Sequence, residues 1–395
     1  MDSSYLLIRK VWQSALGVLQ VGFAVVLITG HGVAATRARR PAYPGAANVA
    51  ADPALVAERE HLLNSSPLAM FYYLDDSPGL TSLQAHTDAI TLLAPQCFDL
   101  DRAGRLHGQI PPRALELARR EGLSVMPLVK NSGFDRRKAH ALLHSARAQE
   151  RAAAQLAQIA ERDQCVGWQL DFEDIDPADK LAYTRFAARV AARLHRSRRL
   201  LSVAVVPRFS DRFPDSYKPG FHTSQWGAAY DYRGLARAAD FLVLMAYDQH
   251  TPLTPPGPVA AYDWTKAALD YAVRRVPPSK LLLGLPFYGR EWAESSGGTS
   301  VHSLAYKDLK PYLDDPDAEQ HWDNVVRTTW FQLRDGTSIR TAWFDDARSL
   351  KAKLALVSLY HLRGYAAWRL GTEDPEFWQL GHEQNVSGTP ERAGN

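Results

Sequence analysis

The chain has 395 residues, 46% of them hydrophobic and 10% aromatic, enough to bury a large core and too apolar for a disordered polymer. Its 46 basic and 43 acidic residues leave a net charge of +3, and the basic side chains do not gather into a stripe interleaved with aromatics. Nucleic-acid binding is thereby set aside.

At the N-terminus Arg9 and Lys10 precede the mostly apolar run "VWQSALGVLQVGFAVVLITG" (11–30), and the small residues "GVAA" follow it. This reads as a targeting segment, with a buried core helix as the bland alternative. Its 20 residues exceed an ordinary signal-peptide core and match a spanning helix, so residues 1–35 read either as a signal peptide or as a membrane anchor. Gln13 and Gln20 weaken the anchor reading, and "RARR" (37–40) opposes the orientation cue of the first charges. Either way the body of the protein is expected outside the cytoplasm: secreted, periplasmic, or tethered to the inner membrane. Residues 36–66 are rich in Pro, Gly, Ala and Arg at their start and read as a linker, with the folded region beginning near Pro67.

From there short apolar runs alternate with helix-period stretches. The runs fall at 68–74, 89–95, 123–129, 166–173, 200–206, 241–248, 280–289 and 364–370. Between them lie patterns such as "PRALELARREG" and "DKLAYTRFAARVAARLHRS", whose apolar residues recur every three or four positions. Eight apolar strands alternating with amphipathic helices predict an α/β fold, a closed (β/α)8 TIM barrel over 67–380. About 75 residues separate the seventh and eighth strands, too many for one helix. A small α+β insertion at about 295–345, between strand 7 and helix 7, accounts for them, with a hairpin turn at Asp335-Gly336. The polar tail 381–395 reads as disordered.

Two cysteines, Cys97 and Cys165, make no framework and sit in no metal-ligand spacing. The 13 histidines are scattered without H-E-x-x-H or a comparable cluster, so neither a metal nor a cofactor is expected.

The informative stretch is "CVGWQLDFEDID" (165–176) at the end of the fourth strand. Strand alternation places Trp168, Leu170 and Phe172 on one face and Gly167, Gln169, Asp171 and Glu173 on the other. The apolar set suits the helical layer. The polar set then enters the barrel and climbs toward its carboxyl end, where barrel active sites are built. A neighbouring carboxylate and an apolar setting both raise an acid's pKa, which suits Glu173 to holding and donating a proton near neutral pH. A bare D-x-E is more often a polar loop edge, and only the rest of the chain reverses that judgement.

"GWQLDFE" resembles the signature of glycoside hydrolase family 18, whose members cut glycans containing N-acetylglucosamine. "LMAYD" (244–248) is similar to the family's sixth-strand segment, "LGLPFYGREW" (283–292) to its seventh, and "GYAAWRLG" (364–371) to its eighth. The resemblance covers residues 67–380 in the right order and includes the insertion.

It implies a retaining mechanism in which the substrate's own 2-acetamido group is the nucleophile. Glu173 would be acid and then base, Asp171 would orient the acetamido group, Tyr247 would hydrogen-bond it, and Trp368 would floor the sugar ring. Met245 shares a strand face with Tyr247. Tyr288, Arg290 and Trp292 leave the seventh strand where they can line the cleft, and Asp248 follows Tyr247. Each has a bland competitor: Tyr247, Met245 and Trp368 as core packing, Arg290 as partner of a structural acid.

Val166 and Gln169 stand where the family's signature has aspartates, and "MPLVKN" (126–131) departs from its third-strand pattern. Gln169 offers an amide donor and acceptor in place of a charge, so Asp171 is expected to ionise more readily than in a two-aspartate site. A neutral amide before D-F-E resembles the bacterial spore-cortex and cell-envelope branch. The expected activity is hydrolysis of β-1,4-linked N-acetylhexosamine in peptidoglycan, a chitin-like polymer or an envelope polysaccharide. The alternative is a lectin-like barrel that binds such glycans without turnover.

Overall fold

A computed structural model of the chain describes residues 53–64, 67–211 and 226–380. The expected leader, most of the expected linker and the tail lie outside them. Among the described residues no helix is long and apolar enough to cross a membrane.

The first described element is α1 (Pro53–Asn64), followed by strand β1 (Leu68–Tyr73), helix α2 (Ser77–Ala85) and β2 (Leu92–Leu100), which turns back on itself as β3 (Leu106–Gly108). Helix α3 (Pro112–Glu121) leads to a third barrel position built from β4 (Ser124–Val125) and β5 (Leu128–Asn131). Helices α4 (Arg136–Leu143) and α5 (Ala146–Arg162) precede β6 (Gly167–Asp171); α6 (Lys180–Arg196) precedes β7 (Leu200–Val205). Then come α7 (Tyr232–Ala238), β8 (Phe241–Leu244), α8 (Tyr262–Ala272) and β9 (Leu281–Pro286).

The chain next leaves the barrel as an antiparallel sheet: β10 (Gly289–Ser295), β11 (Gly298–Leu304), short helix α9 (Lys310–Leu313), β12 (Glu319–Asp323), β13 (Thr328–Asp335) and β14 (Ser338–Phe344). It returns through α10 (Ala347–Leu359) and β15 (Gly364–Trp368). Because β1 pairs in parallel with both β15 and β2, eight parallel strand positions close on themselves, and the fold is the expected (β/α)8 barrel.

Alternation divides the barrel into two cores. Leu68, Met70, Leu92, Leu128, Phe241, Val243 and Leu282 pack together inside it. Phe71, Trp168, Leu170, Phe172, Val203 and Leu242 pack outward under the helices. Indole Trp168 Nε1 donates to the carbonyl of Leu156 at 2.7 Å, pinning β6 to α5.

The insertion has its own small core of Leu304, Leu309, Tyr312, Phe331, Leu333, Ala342 and Phe344. Asp335 pairs with Ser338 across the expected hairpin, and Gly336 takes the left-handed conformation (φ +58°) that the tight turn requires. The insertion begins at Gly289, earlier than the expected 295, because Arg290 and Trp292 continue directly as a strand with buried side chains.

Residues 53–64, expected as linker, form a helix packed on the barrel. Helix α1 lies across the amino-terminal mouth of the barrel. Leu62, 2% exposed, joins the interior core, and its carbonyl accepts from Arg363, just before β15. Ser124 at the start of β4 donates to Glu58 at 2.6 Å, and Arg59 is 3.9 Å from Asp240, just before β8. Residues 53–64 therefore plug the barrel and do not belong to the linker.

Candidate active site

The site is built upward along β6. Gln169 is fully buried; its Nε2 donates to Ser202 Oγ at 3.1 Å on the neighbouring strand, where the two residues are register partners. Its Oε1 has no hydrogen-bond partner. Gln169 thus lies two residues below Asp171, where it supports the site from beneath. Asp171 is 4% exposed, with Oδ1 buried and unpartnered. An orphan acceptor of this kind is costly unless something else supplies a donor. Glu173 lies just past the strand's end and is only partly buried.

The main chain of Glu173 is fixed on both sides. Its N–H donates to Asn131 Oδ1 at 2.9 Å, and its carbonyl accepts from Asn131 Nδ2 at 2.9 Å. The preceding carbonyl, of Phe172, accepts from the hydroxyl of Tyr230 at 2.5 Å. The following residue, Asp174, adopts a left-handed backbone (φ +49°) and accepts two bonds from Arg136, at 2.6 and 3.1 Å. A non-glycine residue in that region is uncommon, and here the side chain is anchored.

Three adjacent strands carry a row of alternating charge at this level. Asp99 on β2 pairs in register with Lys130 on β5, and Lys130 pairs with Asp171 on β6. Lys130 Nζ is 3.3 Å from Asp99 Oδ1. Burial pushes the Asp171 carboxyl up to about 7, against the pull of the Lys130 ammonium. Glu173 is held well above the ordinary carboxylate range by burial first, then by the negative charges of Asp171, Asp248 and Asp174; Lys130 again opposes. Glu173 therefore holds its proton well above the pH at which an ordinary glutamate releases it.

The opposite wall comes from the chain after β8 and β9. The Tyr247 ring lies over Gly284, where a Cβ would come within 3.0 Å of Tyr247 Cε1 and 2.5 Å of the Leu244 carbonyl oxygen. Only glycine fits beneath the ring. Met245 is 9% exposed and packs beside it. Burial drives the hydroxyls of Tyr247 and Tyr72 far above their usual range, so both remain neutral donors.

Asp248 repeats the arrangement at Asp174: a left-handed backbone (φ +63°) whose carboxylate is anchored, here by Tyr288 Oη at 2.5 Å and by Arg290 at 2.6 Å. Arg290 is buried and also donates to the carbonyl of His250. It acts as partner of an acid at the cleft edge. Trp292 is buried, its Nε1 donating to the Thr254 carbonyl at 3.0 Å, and ties the insertion to the barrel. Trp368 ends β15, with its ring centroid 5.2 Å from that of Tyr72 at 56°.

The sequence-derived candidates Asp171, Glu173, Met245, Tyr247, Asp248, Tyr288, Arg290 and Trp368 lie at the carboxyl ends of barrel strands or just beyond them, and Gln169 sits in the middle of β6 beneath Asp171. Sequence reasoning missed Tyr72, Lys130, Asn131 and Tyr230. The first three carried a signal: Tyr72 shares a strand face with Leu68 and Met70, and Lys130 and Asn131 are polar residues closing a buried strand. Tyr230 carried none. Cys97 and Cys165 are both free.

Residues 114–373 match the glycosyl hydrolases family 18, a stretch that contains every sequence-derived candidate. The chain is similar to the uncharacterized glycosylase YvbX of Bacillus subtilis (strain 168), at 25% identity over 314 residues, 78% of this chain and 88% of that protein. It is also similar to the cortical fragment-lytic enzyme of the same organism, at 26% identity over 301 residues, 75% and 68% of the two chains. Its fold resembles the crystal structure of a chitinase from Chromobacterium violaceum ATCC 12472, with a TM-score of 0.73 and 28% identity over 82% of this chain and 100% of the other.

Proposed function

The chain belongs to the glycosyl hydrolases of family 18, and from that membership together with the geometry of its cleft we propose that it hydrolyses β-1,4-linked N-acetylhexosamine glycans with the substrate's own acetamido group as nucleophile. The observation that carries this reading is the orphaned Oδ1 of Asp171, a buried acceptor directly below the proton-holding Glu173. The other acids around Glu173 already have partners, Asp174 in Arg136 and Asp248 in Arg290 and Tyr288. Asp171 is the acid left to receive a donor, and an acetamido N–H is such a donor.

Glu173 gives its proton to the glycosidic oxygen as the bond from that oxygen to the anomeric carbon breaks. The acetamido carbonyl oxygen bonds to the same carbon, closing a five-membered ring, while Asp171 accepts from the acetamido N–H and balances the ring's positive charge. Tyr247 donates to the acetamido oxygen, and Trp368 packs against the sugar face. Water then attacks the anomeric carbon and its proton passes to Glu173, so the ring reopens, the acid is restored and configuration is retained.

The named activities of similar proteins, cortical-fragment lysis and chitinase action, support peptidoglycan, a chitin-like polymer or a related envelope glycan as substrate. The apolar run 11–30 supports a site of action outside the cytoplasm, released or tethered.

The test is incubation of wild type and Glu173→Gln with N-acetylated oligosaccharides and purified peptidoglycan, with new reducing ends read by mass spectrometry. Cleavage by wild type alone is expected. Equal behaviour of the two proteins overturns the role of Glu173, and binding without products points to a lectin-like barrel. A de-N-acetylated oligosaccharide is expected to resist cleavage; equal cleavage overturns the acetamido nucleophile.

A further inference from the structure

Away from the cleft, two histidines and an aspartate converge on one point. His140 lies in α4, and His144, four positions on, ends that helix, so both imidazoles leave the same side. Their ring centroids are 4.3 Å apart. Facing them is Asp179: His140 Nδ1 is 2.8 Å from one carboxylate oxygen, and His144 Nε2 is 2.7 Å from the other. The Asp179 side chain is 3% exposed, whereas the two imidazoles are 59% and 52% exposed.

Asp179 immediately precedes α6, where an aspartate ordinarily accepts from the helix's first free N–H groups, yet its side chain makes no such bond. Both of its oxygens are turned to the imidazoles instead. The three ligand atoms lie within 4.8 Å of one another. Zinc–nitrogen bonds of about 2.0–2.1 Å in a tetrahedron place ligand atoms roughly 3.3 Å apart, so each imidazole must part from the carboxylate oxygen it touches by about half an ångström, and the widest pair must close by up to roughly 1.5 Å. Two side chains more than half exposed at a helix end have that freedom. Two imidazoles and one carboxylate are a donor set for zinc and its borderline neighbours, not for magnesium or calcium, which favour all-oxygen shells.

We propose that His140, His144 and Asp179 form a binding site for a zinc ion or a similar divalent cation, with water completing its coordination. The ion fastens α4 to the segment that runs from Glu173 into α6. Helix α4 already grips that segment at its other end, through Arg136 and Asp174 at 2.6 Å. The pair "HALLH" is visible in the sequence, but the acid that completes it lies 35 residues beyond His144, after the next strand. Scanning for contiguous metal motifs therefore passes over it.

The test uses the full-length protein, stripped with EDTA and titrated with Zn2+ by calorimetry and with Co2+ by visible absorption, beside His140→Gln and His144→Gln. One equivalent of zinc is expected in the wild type, with a tetrahedral cobalt spectrum. Each variant should bind about tenfold more weakly or worse, and a given zinc concentration should raise Tm more in the wild type than in either variant. Circular dichroism checks that the variants, altered at exposed positions, keep the fold. The absence of one saturable equivalent, or an isotherm that both variants leave unchanged, overturns the site.

Discussion

Asn131 holds the peptide of Glu173 from both ends, its side-chain amide accepting from the Glu173 N–H and donating to the Glu173 carbonyl at 2.9 Å each. Glu173 lies just past its strand, where sheet hydrogen bonds no longer fix it, so this pair replaces the sheet at the point where position matters most. Asn131→Ala is expected to lower kcat by roughly 10- to 100-fold, since displacements of an ångström cost about that much, with KM little changed. Steady-state kinetics on an N-acetylated oligosaccharide read both terms. A KM effect alone would assign Asn131 to substrate binding.

Among the described residues, Lys130 is the positive group that opposes the raised pKa values of Glu173 and Asp171. In Lys130→Gln both should rise. The proposed mechanism needs Asp171 ionised and Glu173 protonated, so the acid limb and the alkaline limb of the kcat/KM profile should move together to higher pH. Loss of activity without displacement of either limb would mean that Lys130 acts by packing or by touching the glycan.

Asp171 also makes a prediction about stability. Its carboxyl titrates near 7 in the folded chain and near 3.9 when unfolded. Between those values the folded state holds a proton that the unfolded chain has released, so this group's contribution falls as pH rises from about 4 to about 7 and then levels off. Asp171→Asn should remove that decline and be more stable than wild type at pH 7 by on the order of a few kcal/mol, while losing activity. Urea unfolding across the pH range is the measurement; parallel curves for the two proteins would contradict it.

Helix α1 is a stabilising plug. Leu62→Ala removes a side chain packed inside the barrel mouth and should cost about 2–4 kcal/mol. A chain starting at Pro67 should unfold at lower urea concentration than one starting at Pro53. Identical midpoints would show that the helix merely rests against the barrel.

The eight strands were legible because a parallel sheet buried on both faces leaves continuous apolar runs, of which 200–206 and 241–248 are examples. Helix α1 was not legible, since among its twelve residues only Leu62 is buried and its hold comes from Ser124, Asp240 and Arg363, far along the chain. Glu173 and Asp171 could be found because the two acids stand two residues apart at the end of one apolar run. Lys130 could not be tied to them, because the register that sets it beside Asp171 joins residues on separate strands. Tyr230 reaches the site across 58 residues by a single hydroxyl and looks like any core tyrosine in the sequence.

The second sheet enters and leaves the barrel through adjacent strands, for Gly289 and Phe344 are direct register partners of β10 and β14. Its two ends therefore already meet, and the barrel's own closure, β9 against β15, does not pass through it. Bridging such neighbouring ends with a short turn closes only a small loop. The sheet is in this sense a cassette: it can be shortened, exchanged or excised to reshape one bank of the cleft while the strand bearing Asp171 and the loop bearing Glu173 stay in place.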